Sequence, residues 1–199
     1  MRRTAIFVAT LATALTTLAR AGMVDDCVLE RDPNLRIGGC TAVIGSDEWK
    51  DKGLAWAYIG RGIAYSRLNE HVRAIQDYDQ ALRIDPGYAK AYNGRAWSLY
   101  LMGRHAEALG DVDRALSLDH GDVRAIDTRA HVLTALGQQI EAQREFERAM
   151  QAGGADLVRT YQEALVKHGS YQGAIDGFYG PVTRAALAAC LGAGCRLLE

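Results

Sequence analysis

The side chains best equipped for chemistry are four cysteines, five histidines and a regularly spaced set of arginines and carboxylates. Cys27 and Cys40 lie near one end of the chain, Cys190 and Cys195 near the other. No Cys-x-x-Cys occurs and no histidine stands at ligand spacing from a cysteine, so a zinc site is disfavoured. Two local disulfides, Cys27–Cys40 and Cys190–Cys195, are the simplest reading of an even count, with a reactive thiol as the alternative. Arg61, Arg95 and Arg129 recur 34 residues apart, as do Asp77, Asp111 and Glu145, and Asp79, Asp113 and Glu147. Charges held in one phase suit ion pairs between neighbouring helices, guanidinium forks on carboxylates, better than a charged groove for a partner. No Gly-x-Ser-x-Gly elbow, phosphate loop or His-Glu-x-x-His motif is present. These residues lead us to expect no catalysis, no cofactor and no metal.

The elements that must position them repeat every 34 residues. Segments starting at Ala55, Ala89 and Val123 share one pattern, and Ala74/Ala108/Ala142, Tyr78/Val112/Phe146 and Ala81/Ala115/Ala149 keep the same offset. A register kept without insertion over three units means one supersecondary module stacked on copies of itself. Each unit splits into two amphipathic helices. Tyr58, Gly62 and Tyr65 mark the first and Val72, Ile75, Tyr78 and Leu82 the second. Breaks at Asn69, Gly103 and Gly137 suit a left-handed backbone closing the first helix, and Asp85-Pro86-Gly87 ends the second. Subtracting 34 from Ala74, Tyr78 and Arg61 lands on Cys40, Ile44 and Cys27. Residues 22–54 therefore read as a degenerate helix pair, a capping repeat tied by Cys27–Cys40.

The beginning of the chain reads differently. Met1-Arg2-Arg3, an apolar run from Ala5 to Ala19 and Ala19-Arg20-Ala21 form the pattern of a secretory signal peptide, 1–21. Its removal takes away Arg2, Arg3 and Arg20 and no acid, leaving 20 basic against 24 acidic side chains, a net −4. No membrane span is expected after cleavage. A mildly acidic chain without a basic stripe excludes nucleic acid as a partner.

Tyr58, Gly62, Tyr65, Ala74, Tyr78, Ala81 and Pro86 resemble the tetratricopeptide repeat pattern, nearly complete in the first unit. The second unit departs at Leu99, Val112 and His120, the third at Ile126, Leu133 and Gly154. The resemblance covers three repeats, 55–88, 89–122 and 123–152. It implies that a peptide or protein partner binds the face formed by first helices. Mapped by position, that face carries Trp56, Ile59 and Ile63, then Lys90, Asn93 and Trp97, then Arg124, Asp127 and His131. The five-residue clamp by which some members grip a C-terminal carboxylate is not reproduced.

Gln151-Ala152-Gly153-Gly154-Ala155 breaks the pattern. Beyond it, Tyr161-Gln162, Leu165, Gly169, Tyr171, Gly173, Ile175-Asp176-Gly177, Tyr179-Gly180-Pro181, Thr183 and Ala186-Leu187 resemble the peptidoglycan-binding module of cell-wall enzymes and envelope proteins. Where that family ends its last helix on Phe-Gln, this chain has Cys190-Leu191. The resemblance implies a small three-helix module over 156–199, with Asp176, Tyr179, Thr183 and Arg184 directed to peptidoglycan. The expectation is an all-α chain, a tetratricopeptide helix-pair solenoid followed by this peptidoglycan-binding-like module. It would serve as an adaptor in the periplasm of a bacterial envelope, or as a soluble peptide-binding scaffold whose C-terminal module is only a structural cap.

Overall fold

The computed structural model describes residues 22–29, 31–47 and 49–197. The segment read as a signal peptide, 1–21, lies outside the described residues. Every regular element among those described is helical: α1 (22–28), α2 (Pro33–Ile44), a single 3-10 turn (Asp51–Leu54), α3 (Ala55–Arg67), α4 (His71–Ile84), α5 (Ala89–Leu101), α6 (His105–Leu118), α7 (Val123–Ala135), α8 (Gln139–Lys167) and α9 (Pro181–Gly192). The chain divides into two compact units, Met1–Gly94 and Arg95–Glu199.

One local device ends α3, α5, α7 and α8. Asn69, Gly103, Gly137 and Gly169 all take positive φ, between 60° and 76°. The next amide in each case donates back across the helix end: Glu70 N–H to Tyr65 O, Arg104 to Leu99, Gln138 to Leu133 and Ser170 to Leu165, each at 2.9 Å. This pattern satisfies carbonyls the helix leaves unpaired and turns the chain sharply into the next segment. The end of α9 repeats it, with Gly194 at φ 74° and Cys195 N–H donating to Cys190 O at 3.0 Å. The Cys190–Cys195 disulfide therefore joins the two positions that such a motif usually links by an apolar contact.

Between repeats, Asp85 Oδ1 accepts from Gly87 N–H at 3.0 Å, and Asp119 Oδ1 accepts from Gly121 N–H at 3.2 Å. Replacing Pro86 by His120 in the second unit thus leaves the turn intact, because the aspartate holds it.

In the first unit, Tyr78 is the largest fully buried side chain. Its ring passes between two first helices, so close that a Cβ on Gly62 would lie 2.9 Å from it and one on Gly94 2.5 Å. Side chains at either glycine would overpack this contact, which explains the small residues there. Cys27–Cys40 joins α1 to α2. Both cysteines are buried, in a cluster with Val43 and Ala57 that Trp49 and Trp56 cover.

In the second unit one core runs through α7, α8 and α9, from Leu133, Phe146 and Met150 to Tyr161, Leu165, Leu187 and Leu191. Gly154, at φ 73° and ψ −171°, leaves the helical conformation and divides α8 into two helical segments at a kink. Among the described residues, 156–197 contain two helices where the sequence resemblance implied three over 156–199: no helix forms over 168–180. Four glycines in twelve residues, Gly169 to Gly180, oppose a helix there. The loop is instead organised by one buried amide, that of Gln162.

Candidate functional site

The first-helix residues fall into different surroundings. Within the first unit, Trp56 is half-buried and meets Trp49 edge-on at 5.6 Å, while Ile59 lies in the core at 5% exposure. Ile63 packs against the Tyr78 cluster. Lys90 is exposed, and Asn93 is half-buried with its Oδ1 sealed from solvent and lacking a hydrogen-bond partner among the described residues.

Within the second unit, Trp97 is half-buried and stacks on Tyr100 at 5.2 Å. Arg124 projects into solvent, 75% exposed, with its Nε 3.8 Å from the Asp122 carboxylate that also caps α7. His131 is buried, only 3% exposed. Its ring meets Trp97 and Phe146 edge-on at 5.7 and 5.0 Å and Tyr161 nearly parallel at 6.5 Å. Asp127, one turn earlier on α7, accepts a hydrogen bond from the Tyr161 hydroxyl, which also lies 3.4 Å from His131 Nε2. The second Asp127 oxygen is 4.0 Å from that same nitrogen. The structure thus brings Trp97, Asp127 and His131 around one point. Burial holds the Asp127 carboxyl above the ordinary value of 3.8, against the nearby His131 and the Tyr161 hydrogen bond. It drives the Tyr161 phenol upward as well.

Tyr161 lies outside the expected first-helix set, although the sequence carries a signal for it. Tyr161 follows Asp127 by 34 residues, so it occupies the corresponding first-helix position of the next turn of the solenoid.

The periodic acids are spent differently. Arg61 forks onto Asp77 with both bonds at 2.8 Å, and Arg95 onto Asp111 with both at 2.7 Å. Arg129 bridges Glu145 at 2.9 Å and Asp113 at 2.7 Å. Each arginine joins the first and second helix of its own repeat, the arrangement the shared phase predicts, and Arg129 also reaches back to α6. The bond to Asp77 holds the Arg61 guanidinium above its ordinary value despite partial burial.

In the C-terminal segment, Gln162 is fully buried. Its Nε2 lies 2.8 Å from Asp176 Oδ1, 3.1 Å from the Tyr171 hydroxyl, and 3.3 Å from both Thr183 Oγ1 and Phe178 O. Its Oε1 accepts from Gly177 N–H at 2.9 Å. Asp176 also accepts from Phe178 N–H at 2.8 Å, and the Gln162 amide with this amide holds its carboxyl below the usual carboxylate range. Asp176 and Thr183 therefore fix the loop. Arg184 lies over the Tyr179 ring at 5.6 Å and 3.7 Å from Glu147. Burial pushes the Tyr179 phenol up to about 12. Beside them, Tyr171, Val182, Ala185 and Ala189 line an apolar groove of about 540 Å³, and Phe178 is 69% exposed. Among the described residues, no three His, Cys, Asp or Glu side chains could together hold a metal ion, and no helix is long and apolar enough to cross a membrane.

Two tetratricopeptide repeat family models match the chain, over residues 55–88 and 77–110. Among solved structures, it is similar to TTC0263, a thermophilic TPR protein of Thermus thermophilus, at 19% identity over 67% of this chain and 73% of that one, with a TM-score of 0.58. It is also similar to MamA, at 24% identity over 61% of this chain and 68% of that one, TM-score 0.51. A second MamA structure, MSR-1, matches at 12% identity over 88% and 98% of the two chains, TM-score 0.57. No curated protein matches the chain significantly. The chain carries tetratricopeptide repeats in an all-α fold, an architecture typical of protein–protein interaction.

Proposed function

We propose that this protein is an exported, non-enzymatic scaffold that holds a protein or peptide partner against its first helices. The observation that carries this reading is a division of labour between repeat positions. Positions that hold the fold are chemically constant from unit to unit: the arginines forked onto acids and the alanines at helix contacts. Three first-helix positions vary instead, Trp56/Lys90/Arg124, Ile59/Asn93/Asp127 and Ile63/Trp97/His131. Constant positions assemble a solenoid; variable ones are where a repeat protein specifies what it binds. A photo-crosslinker placed at Lys90 or Arg124 in living cells should yield a discrete adduct with another protein, and one at Arg114, on a second helix, should not. Equal yields from all three positions would remove the first helices from the proposal.

Export to a periplasm rests on the pattern of residues 1–21. N-terminal sequencing of the purified protein should begin just after residue 21, whereas an intact N-terminus in the cytosolic fraction would rule it out. Docking of the C-terminal segment on peptidoglycan is the second reading. It draws on the loop-and-α9 pattern, on the exposed Phe178, and on Val182, which lines the apolar groove. Co-sedimentation with insoluble peptidoglycan that is lost on Phe178→Ser supports it. Recovery of the chain in the supernatant leaves the segment as a cap.

A further inference from the structure

Asp127 differs from the other mostly buried acids of its unit. Asp111 and Glu145 each receive an arginine, but no lysine or arginine among the described residues pairs with Asp127. Its contacts are the Tyr161 hydroxyl and the edge of His131. Arg124, one turn away on the same helix, is turned toward Asp122. Yet the Asp127 side chain keeps 22% of its surface open to solvent, so a cation can reach it from outside. Trp97 also stands against His131, half-exposed, its ring 5.7 Å from the imidazole.

We propose that Asp127 and Trp97 form an anchor for a basic side chain, lysine or arginine, of the bound partner. The inference rests on the partner-binding reading above and names the chemistry of what is bound. A carboxylate drawn largely out of water with a phenol and an imidazole edge but no lysine or arginine beside it is held at a cost, and an incoming ammonium or guanidinium offsets it with a charge-assisted hydrogen bond. The long alkyl stem of either side chain suits the Trp97 face, and the cation gains from the indole quadrupole on its way to the acid. Tyr161 keeps the carboxylate oriented by donating to one oxygen, leaving the other for the ligand. Complementarity of charge selects the occupant: neutral or acidic peptides gain nothing from this point and leave the carboxylate unpaired.

The test uses the purified full chain against an array of random short peptides. Binders should be enriched in lysine and arginine. Replacing the basic residue of the best binder by glutamine should weaken it by about tenfold or more in fluorescence anisotropy. On the protein, Asp127→Asn should weaken the basic peptide by a similar factor and leave its glutamine version unchanged. Binders without basic enrichment, or a glutamine version that binds the wild-type chain equally well, would overturn the anchor while leaving the scaffold reading in place. An array with no binders at all would remove both. The peptide substitution is read on the wild-type protein, so the result stands even if Asp127→Asn fails to fold.

Discussion

Asp111 and Asp127 belong to consecutive helices of one unit, and both are mostly withdrawn from water, yet their surroundings are opposite. Asp111 receives two bonds from the Arg95 guanidinium at 2.7 Å, closing the angle between α5 and α6. Asp127 receives a phenol and faces an imidazole edge, with an opening to solvent where a cation would sit. The first acid recurs at every repeat; the second appears once. Repetition marks charge used for assembly, and its absence marks charge free for another purpose. The Gln162 amide stands between them, a polar group that occurs once yet is wholly used inside the fold.

The largest effect should come from Gln162→Leu. It leaves the Gly177 N–H without its acceptor and the Asp176 carboxylate without the amide, at a cost of about 3 kcal/mol read from urea unfolding. Hydrogen exchange should show 170–180 losing protection first. A drop no larger than that of an ordinary surface change would mean the loop holds without its hub. Next, Asp111→Asn should cost about 2 kcal/mol, because it breaks a fork whose partners are only 23% and 13% exposed. The companion change Arg95→Met should cost at least as much as Asp111→Asn, because it leaves the more deeply buried carboxylate without its cation.

A smaller effect concerns pH. The folded state holds Asp127 above its ordinary value, so it binds a proton more readily than the unfolded chain. Its contribution is fully present below the unfolded value near 3.8 and is lost as pH rises through the folded one. Asp127→Asn should remove that downward step from a plot of stability against pH, and an unchanged profile would show that Asp127 titrates normally. Asp176 has the opposite sign: held low by Gln162, it favours the fold above its unfolded value, and that contribution disappears as pH falls. Smallest of all, Glu107→Gln should leave unfolding unchanged, since its pair with Arg104 lies on the open surface.

The periodic part of this molecule is readable in the sequence because each position is written three times. Arg61/Arg95/Arg129 and their acids can be paired from phase alone, since both partners keep it. The left-handed closures at Asn69, Gly103 and Gly137 are readable for the same reason. Features that occur once are harder. Gln162 belongs to the C-terminal pattern, but that pattern gives it no role, and its bonds to residues as distant as Thr183 depend on the loop's path. The glycines at 153 and 154 read as an end to the repeats. Counting 34 onward from Asp127 nevertheless reaches Tyr161, the residue that covers His131 and meets Asp127. The nine first-helix residues were identified by position alone, and position does not say which of them the neighbouring helix buries. Hence Ile59 and His131 lie inside, whereas Lys90 and Arg124 lie in the open.

The most direct test of the division between structural and partner-facing charge sets Asp111→Asn beside Asp127→Asn in urea unfolding at neutral pH. We expect Asp111→Asn to lose about 2 kcal/mol, and Asp127→Asn to match or exceed the wild type, since its amide keeps the Tyr161 hydrogen bond and removes a buried charge. If Asp127→Asn falls as far as Asp111→Asn, both acids hold the fold and Asp127 is not reserved for a partner.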